Sequence, residues 1–368
     1  MKVLSLQPCS IYENGGMGRL LRRIYEGHEE DVIGLWIIGN TKSQKFDKIK
    51  EIIIPAFPLH RSWMRWKVRN LFAFLREVLF RDFTKKRLVT AAKNIKFDIL
   101  HVINHGSYST SLCSGLILDN KKLWTSFHDH FSTTGSSFQD TKLLWSRSDR
   151  RLVISNELGV EYQRLFGFQK YELITDGLFR SEISAPIKSK SNKTNFYFAG
   201  LVHLEYYPLF SVLADALDSL TSDGHSFELI LRGTRPLKVL QKRKFTVTYK
   251  SNFISDNEIK TEMDLAEILY LPIKFDIPEF YLYSLSTKMV GYLGAAGKIL
   301  YHGPGDSAAC QLLKKNNAAF LCNTLDETDM RNTILSLLKS DMTIKENSEL
   351  LAKNSFDINT MNRNFWQV

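Results

Sequence analysis

Cysteine is scarce in this chain, and long apolar runs and short-period repeats are absent from it. The four cysteines form no Cys-X-X-Cys pair and lie among apolar or small residues, which favours buried free thiols over metal ligands or disulfides. No apolar run reaches the ~18 residues that a membrane-spanning helix needs. The segment Met1–Pro8 is too short for a signal peptide and is predicted to form a first strand. We therefore expect a cytoplasmic protein.

Positive charge is in excess and is unevenly distributed. The net charge is +10, and nine bases lie between Arg61 and Val89, opposed by Glu77 and Asp82. Tryptophan, phenylalanine and leucine alternate with these bases, which suits a helix lying on an anionic lipid surface at the inner face of a membrane. One or two ordinary core-packed helices with a basic outer face explain the pattern equally well. The candidates for contact with a membrane, or with an acceptor substrate bound beside it, are Arg61, Trp63, Arg65, Trp66, Lys67 and Arg69.

Strands and helices alternate along both halves of the chain. This rhythm predicts α/β architecture, with a parallel sheet and covering helices in each half. The predicted strands begin at Val3, Val32, Ile52, Asp98, Leu123, Leu152, Glu172, Phe196, Phe227, Phe245, Ile268, Ile299 and Ala319. A polar run between Pro186 and Asn195 is the best linker candidate. We predict domains over 1–185 and 186–352 with a ligand cleft between them, and a tail over 353–368 that returns to the first domain.

The stretch from Ile273 to Asp306, which contains Ser286-Thr287-Lys288, is the most informative part of the chain. It predicts a loop, a helix, a glycine turn at Gly297 and a buried strand, which is how a nucleotide phosphate site is built at the carboxyl edge of a parallel sheet. Ser286 and Thr287 offer hydroxyl and amide groups to an anion, and Lys288 offers a cation. A solvated lysine is the alternative, but cations are disfavoured at this end of a helix.

Two further segments carry features of an anion site. Gly15 and Gly16 follow the first predicted strand, allow close approach of a ligand and precede a helix. A tight turn without a ligand is the alternative. Arg232 and Arg235 flank Gly233 at the carboxyl end of another strand, where they are either anion ligands or ordinary surface arginines.

A His-Asp-His triplet follows the apolar strand Leu123–Phe127. A single histidine at a strand end is often structural, but the triplet at an edge that faces the predicted cleft favours a functional role. His128 and Asp129 are the candidate catalytic residues, with Asp129 orienting the imidazole or meeting an acceptor hydroxyl. His128 and His130 could share one face of the strand and bind a metal, but no further Cys, His or Asp cluster supports this. We predict that no metal is required.

Together these segments resemble GT-B-fold glycosyltransferases of the retaining family-4 type, also called glycosyl transferases group 1. The resemblance is carried by Gly15–Arg19, Thr125–Asp129, Asp176-Gly177, and the donor segment from Ser286 through Tyr292 to Pro304. It implies two Rossmann-like domains that close around the substrates, and sugar transfer from a nucleotide-diphosphate sugar to a glycan or lipid-linked acceptor without a metal. It also places the donor on the second domain and the acceptor on the first. Bacterial surface-polysaccharide assembly is the context by analogy.

The chain departs from this pattern at two places. Gly291 stands where the family has the glutamate that holds the ribose, and the segment after Gly200 lacks the family's arginine and lysine. Arg232, Arg235 and Lys288 are the candidates for the missing positive charge. These departures leave open a catalytically inactive member that docks on a membrane or on another transferase. A nucleotide-sugar epimerase would need paired cleft carboxylates, which are not evident, and no nucleic-acid-binding signature accompanies the basic charge.

Overall fold

A computed structural model describes residues 1–13, 15–40, 48–60, 66–106, 108–115, 121–185, 193–250 and 254–367. Arg61, Trp63 and Arg65 of the predicted basic surface, and most of the predicted linker, lie outside these residues. The side chains of Trp66 and Arg69 are outside the description as well. The chain forms two compact units, Met1–Thr175 with Asn364–Val368, and Asp176–Arg363.

The first unit is built on a parallel sheet in which the strand order is β3-β2-β1-β4-β5-β6-β7. All residues of Val3–Gln7 and Ile99–Ile103 are buried, because helices cover both faces of a doubly wound sheet. The strands are β1 Val3–Gln7, β2 Val32–Asn40, β3 Lys50–His60, β4 Ile99–Ile103, β5 Lys122–Phe127, β6 Arg150–Val153 and β7 Glu172–Leu173. The helices are α1 Gly16–Ile24, α2 Trp66–Val78, α3 Arg81–Lys93, α4 Tyr108–Gly115, α5 Phe131–Thr134, α6 Phe138–Arg147 and α7 Asn156–Phe166.

The second unit repeats the plan, with the strand order β10-β9-β8-β11-β12-β13. Alternation along its first strand sends Phe196 and Phe198 to one core and Tyr197 to the other. The strands are β8 Thr194–Ala199, β9 Phe227–Arg232, β10 Thr246–Lys250, β11 Ile268–Pro272, β12 Lys298–His302 and β13 Phe320–Cys322. The helices are α8 Tyr207–Ser222, α9 Asp256–Leu265, α10 Pro278–Tyr281, α11 Thr287–Gly294, α12 Ala308–Lys315, α13 Glu327–Lys339, α14 Thr343–Ser355 and α15 Ile358–Trp366.

The predicted fold class of two doubly wound, Rossmann-like units is confirmed. Every predicted strand is present, and the described pairings within both sheets are parallel. The strand order reverses between β1 and β4 in the first sheet and between β8 and β11 in the second. In open α/β sheets, ligands bind outside the carboxyl ends of the strands at such switch points. The topology therefore singles out the loops after these four strands.

The boundary between the units lies earlier than the predicted 185/186. The second unit begins at Asp176, because the segment that follows pairs with later parts of that unit. The Leu178 amide donates to the Phe356 carbonyl at 2.7 Å, and the Ser184 amide donates to the Gly294 carbonyl at 2.8 Å. The predicted tail is also divided, since residues from Asn364 onward belong to the first unit. There the Trp366 Nε1 donates to the Ile24 carbonyl at 2.8 Å.

The thiols described are free. Cys310 and Cys322 are buried and Cys9 is half-buried, and burial raises the pKa of each, for Cys9 to about 12. Within the described residues, no helix is long and apolar enough to cross a membrane.

Candidate functional site

Gly200 lies at the switch point of the second sheet, directly after β8. Its φ of +140° is a conformation that residues with side chains rarely adopt, and a Cβ added here would lie 3.2 Å from the Lys288 Nζ. The Gly200 amide donates to the Arg232 carbonyl at 2.9 Å, and the Thr234 hydroxyl donates to the Gly200 carbonyl at 2.8 Å. The glycine thus allows a lysine from another element to approach the end of β8.

Lys288 is in the first turn of α11, with its Nζ 3.8 Å from the centroid of the Phe198 ring. Lys288 is half-buried, and burial of its ammonium against that ring lowers its pKa to about 7, which argues against a fully solvated lysine. Among the described residues, no carboxylate lies within ion-pair distance of it. A desolvated ammonium beside the positive end of a helix is a place where a bound anion is favoured and would restore the full charge.

The two predicted arginines have different surroundings. Arg232 forms an ion pair with Glu262, which also accepts hydrogen bonds from Lys250 Nζ and the Tyr197 hydroxyl at 2.9 Å each. Although desolvation opposes it, these hydrogen bonds hold the pKa of Glu262 at about 2, so the charge of Arg232 is compensated within the protein. Arg235 is exposed to solvent. Gly233 between them has a left-handed φ of 73° and its amide donates to the Lys250 carbonyl.

The remaining donor-segment residues surround the start of α11. Ser286 is the N-cap residue and Thr287 begins the helix, so the first-turn amides lack intrahelical partners. Tyr292 is fully buried, and its hydroxyl oxygen accepts a hydrogen bond from the Ala199 amide at 3.2 Å, which holds α11 against β8. The helix ends at Gly294 rather than at the predicted Gly297. Gly297 instead permits close packing, since a Cβ there would lie 2.4 Å from the Ala266 carbonyl oxygen.

The glycine loop of the first unit joins β1 to α1. Gly15 is the N-cap residue of α1 in an extended conformation, with open space around it, and Gly16 is the first helical residue. Gly18 is the glycine that the packing requires, because a Cβ there would lie 2.4 Å from the Glu13 carbonyl oxygen and 2.9 Å from that of Ile11. Sequence reasoning quoted Gly18 within the loop motif but did not select it.

A buried carboxylate anchors the start of this loop. Glu51 of β3 is 5% exposed and accepts hydrogen bonds from Gln7 Nε2, Ser10 Oγ and the Ile11 amide at 2.9, 2.6 and 2.8 Å. Desolvation raises the pKa of this carboxyl despite those donors. Sequence reasoning missed Glu51, because a charged residue before an apolar run looks like an ordinary strand end.

The predicted catalytic histidine lies directly after β5 and is buried. Desolvation lowers the pKa of His128 to about 4, with a smaller contribution from His105, so the imidazole is neutral at neutral pH. Its Nε2 has no hydrogen-bond partner among the described residues. Asp129 is half-buried, and its carbonyl accepts from the Tyr162 hydroxyl at 3.3 Å. Across the described part of the chain, no group of three or more His, Cys, Asp or Glu side chains could hold a metal.

A cavity of about 620 Å³ opens at the switch point of the first sheet, between the carboxyl ends of β1 and β4. Among its lining residues are Gln7, Arg76, Arg81, His105 and Asp140. Sequence reasoning grouped Arg76 and Arg81 with the basic helices. It did not place them at a cavity, because only the folded sheet brings these side chains to the carboxyl ends of β1 and β4.

The two basic helices and the turn between them expose apolar side chains. Phe74 is 60% exposed and Leu79 66% exposed, and they are joined at the surface by Leu71, Val78 and Phe83. The basic side chains exposed on the described part of α2 and α3 are Lys67, Arg81, Lys86, Arg87 and Lys93, of which Arg81 also lines the cavity. Burial on α3 is confined to Thr84, Leu88 and Ala92. The described part of α2 and α3 therefore presents a mixed apolar and basic surface to solvent.

Comparison with known proteins identifies the fold. No family model matches this chain, and no curated protein matches it by sequence. Anabaena Alr3699/HepE in complex with UDP superposes with a TM-score of 0.69 at 13% identity, over 99% of this chain and 98% of that one. A glycosyltransferase from Rickettsia africae superposes with a TM-score of 0.67 at 15% identity, over 99% of this chain and 96% of that one. An alpha,alpha-trehalose-phosphate synthase (UDP-forming) from Burkholderia vietnamiensis superposes with a TM-score of 0.67 at 8% identity, over 99% of this chain and 98% of that one.

These similarities establish the architecture of the chain. It has the two-unit GT-B fold of glycosyltransferases, as predicted from its sequence.

Proposed function

We propose that the protein is a retaining glycosyltransferase that uses a nucleotide-diphosphate sugar. The observation that carries the proposal is Lys288, a desolvated cation at the start of α11 and beside Gly200 at the switch point of the second sheet. A nucleoside diphosphate supplies the anion that this arrangement lacks. Solved structures of the same fold contain UDP or UDP-glucose, which makes uracil the first base to test.

Catalysis would be mainly electrostatic. The bond between the anomeric carbon and the diphosphate oxygen breaks, and the diphosphate leaves with the electron pair. Lys288 and the first-turn amides of α11 stabilise that leaving group as its charge develops. The acceptor oxygen attacks the same face of the sugar, and its proton passes to the departing diphosphate. On the first unit, the neutral His128 offers Nε2 to a sugar hydroxyl, and Asp129 is the second candidate there.

The mixed surface of α2 and α3 supports a lipid-linked acceptor. Exposed phenylalanine and leucine beside arginine and lysine match the headgroup boundary of an anionic bilayer, where apolar groups insert and cations meet phosphates. We propose that this surface attaches the enzyme to the membrane that carries a growing glycan, as surface-polysaccharide synthesis would require.

Replacing Phe74 and Leu79 together by serine should weaken binding to anionic vesicles by about tenfold or more, because two inserting apolar side chains are removed. Both are largely exposed, so folding should be unaffected. Sedimentation with phosphatidylglycerol vesicles measures the binding, and phosphatidylcholine vesicles and duplex DNA at equal ionic strength are the comparison ligands. Val160→Ser, at a 58% exposed residue of α7, is the matched control. An equal loss in that control, or no vesicle binding by the wild type, contradicts the attachment.

The proposed function is tested by a thermal-shift panel of UDP, GDP, dTDP, CDP and ADP. A nucleotide at ~100 times its Kd stabilises the protein by about 2.7 kcal/mol, which appears as a higher melting temperature. We expect one nucleotide to stabilise the wild type and Lys315→Met, but not Lys288→Met. Lys315 is the matched control, because it is an exposed lysine of the same unit and is the last residue of α12. Turnover is then measured with the matching nucleotide sugar.

A catalytically inactive binding partner is the second candidate. It is favoured by Gly291, which is buried in α11 where the resembled family has its ribose-holding glutamate, and by the compensation of Arg232 by Glu262. Cooperative melting without a shift from any of the five nucleotides, together with retained vesicle binding, would select this candidate over the transferase.

A further inference from the structure

The cavity at the switch point of the first sheet lies outside the donor-segment residues. Its volume of about 620 Å³ is large enough for a monosaccharide with an attached charged group. The residues that line it come from the end of β1, from β2 and β3, from the segment after β4 with the start of α4, from the α2–α3 pair, and from the end of α5 and the start of α6. It is therefore a composite site that only the folded first unit creates.

Two guanidinium groups give this cavity its positive charge. The Arg76 Nη1 donates to the Pro58 carbonyl at 3.2 Å, which fixes that side chain at the cavity. Arg81 lies 3.9 Å from the neighbouring Asp82 carboxylate, and Asp82 is 82% exposed, so this pair is weak. Arginine presents a planar fork of N–H donors that matches phosphate and carboxylate oxygens.

Hydrogen-bond acceptors complete the lining. Asp140 adds a carboxylate in the first turn of α6, and burial lowers the pKa of His105, which favours its neutral imidazole. Gln7 is 3% exposed and donates through Nε2 to Glu51, while its Oε1 has no hydrogen-bond partner in the described structure. A sugar hydroxyl is the group that donates to such acceptors.

We propose that this cavity binds an acceptor that carries both a phosphate ester and free sugar hydroxyls. The phosphate meets Arg76 and Arg81, and the hydroxyls meet Asp140 and Gln7. This inference rests on the proposed transferase function, and it narrows the acceptor from any glycan to a phosphorylated one. The same chemistry occurs in a soluble sugar phosphate and in a sugar joined to a lipid by a diphosphate.

Calorimetric titration of the full chain tests the proposal with four probes. Glucose 1-phosphate and farnesyl-diphosphate-linked glucose represent the two phosphate sources, glucuronate supplies a carboxylate, and methyl glucoside is neutral. The first two should bind and the neutral sugar should bind at least about tenfold more weakly, because charge-assisted hydrogen bonds are lost. Preference between the two phosphate probes identifies the source. Equal binding of glucuronate and glucose 1-phosphate, or of the neutral sugar, overturns the phosphate assignment.

Variants then connect the binding to the two arginines. Arg76→Gln and Arg81→Gln should each weaken phosphate binding by about tenfold to a hundredfold. Lys86→Gln is the matched control, since Lys86 is an exposed base of α3 that does not line the cavity. Tryptophan fluorescence checks folding, because all six tryptophans belong to the segments that form the first unit. If the arginine variants bind like Lys86→Gln while remaining folded, the proposal is overturned.

Nucleotide titration on the same samples separates this proposal from the proposed function. UDP or another nucleotide that binds, with no phosphate ester bound, overturns the acceptor assignment and leaves the transferase standing. Arginine-dependent phosphate binding without any nucleotide binding supports the cavity and overturns the transferase.

Discussion

Lys288→Met should weaken nucleotide diphosphate binding by about tenfold to a hundredfold and leave the protein at least as stable as the wild type. The affinity falls because the variant removes a charge-assisted contact to the phosphates. Stability is retained because the wild-type ammonium is desolvated and has no carboxylate partner in the described structure, whereas methionine is apolar and similar in length. A lysine retained for structural reasons would show the opposite, a loss of stability without a loss of affinity.

Scanning calorimetry measures the stability, and titration with the selected nucleotide measures the affinity. Tryptophan fluorescence is unsuitable here, because no tryptophan lies in the second unit. Lys315→Met controls for the loss of one positive charge from that unit. Wild-type affinity in Lys288→Met would remove the main support for the donor site.

The pH dependence follows from the same lysine. Its pKa is about 7 in the folded protein and 10.5 ordinarily, so the unfolded chain binds more protons between these values. The contribution of Lys288 to stability therefore rises with pH across that window and is absent in the methionine variant. Nucleotide binding has the opposite slope, since a bound phosphate favours the charged lysine. Affinity should fall from pH 7 to pH 8, a range in which a growing fraction of Lys288 becomes neutral while the nucleobase stays un-ionised.

The sequence predicts the strands and the start of α11 well, because both are local patterns. Buried parallel strands are continuous apolar runs, and the start of α11 is indicated by Ser286-Thr287-Lys288. The surroundings of Lys288 are not local. Phe198 and Gly200 come from the end of β8, and only the strand order brings them beside α11. Desolvation of the lysine therefore could not be inferred from its own segment.

The sequence also does not show which charged side chains form ion pairs with one another. Arg232 looks like an anion ligand at a strand end, but Glu262 on α9 pairs with it across the unit. The basic run between Arg61 and Val89 shows a second limit of the sequence. Composition gives the total charge of this run, but it does not show which bases line a cavity and which face only solvent. In the folded first unit, Arg76 and Arg81 line a cavity, while Phe74 and Leu79 face solvent.

Glu51→Ala should lower the free energy of unfolding of the first unit by roughly 3–5 kcal/mol, because buried hydrogen-bond donors lose their acceptor. These donors are Gln7 Nε2, Ser10 Oγ and the Ile11 amide, which together fix the path from β1 into the glycine loop. Sugar transfer should be lost as well, since the loop and the cavity that Gln7 lines both depend on this anchor. Urea unfolding followed by tryptophan fluorescence reports on the first unit alone.

Glu51→Gln is the matched variant that distinguishes the hydrogen bonds accepted by this side chain from its negative charge. Glutamine keeps an acceptor at Oε1, where Gln7 and Ile11 donate, and the Ser10 hydroxyl can reverse its role and accept from the new amide. Because desolvation raises the pKa of Glu51, any stability that this carboxyl gives through protonation is present at low pH and lost as pH rises. A neutral amide avoids that loss, so Glu51→Gln should remain close to wild type at pH 7 while Glu51→Ala does not. Equal destabilisation by both would mean that the negative charge, rather than the hydrogen-bond geometry, holds the glycine loop in place.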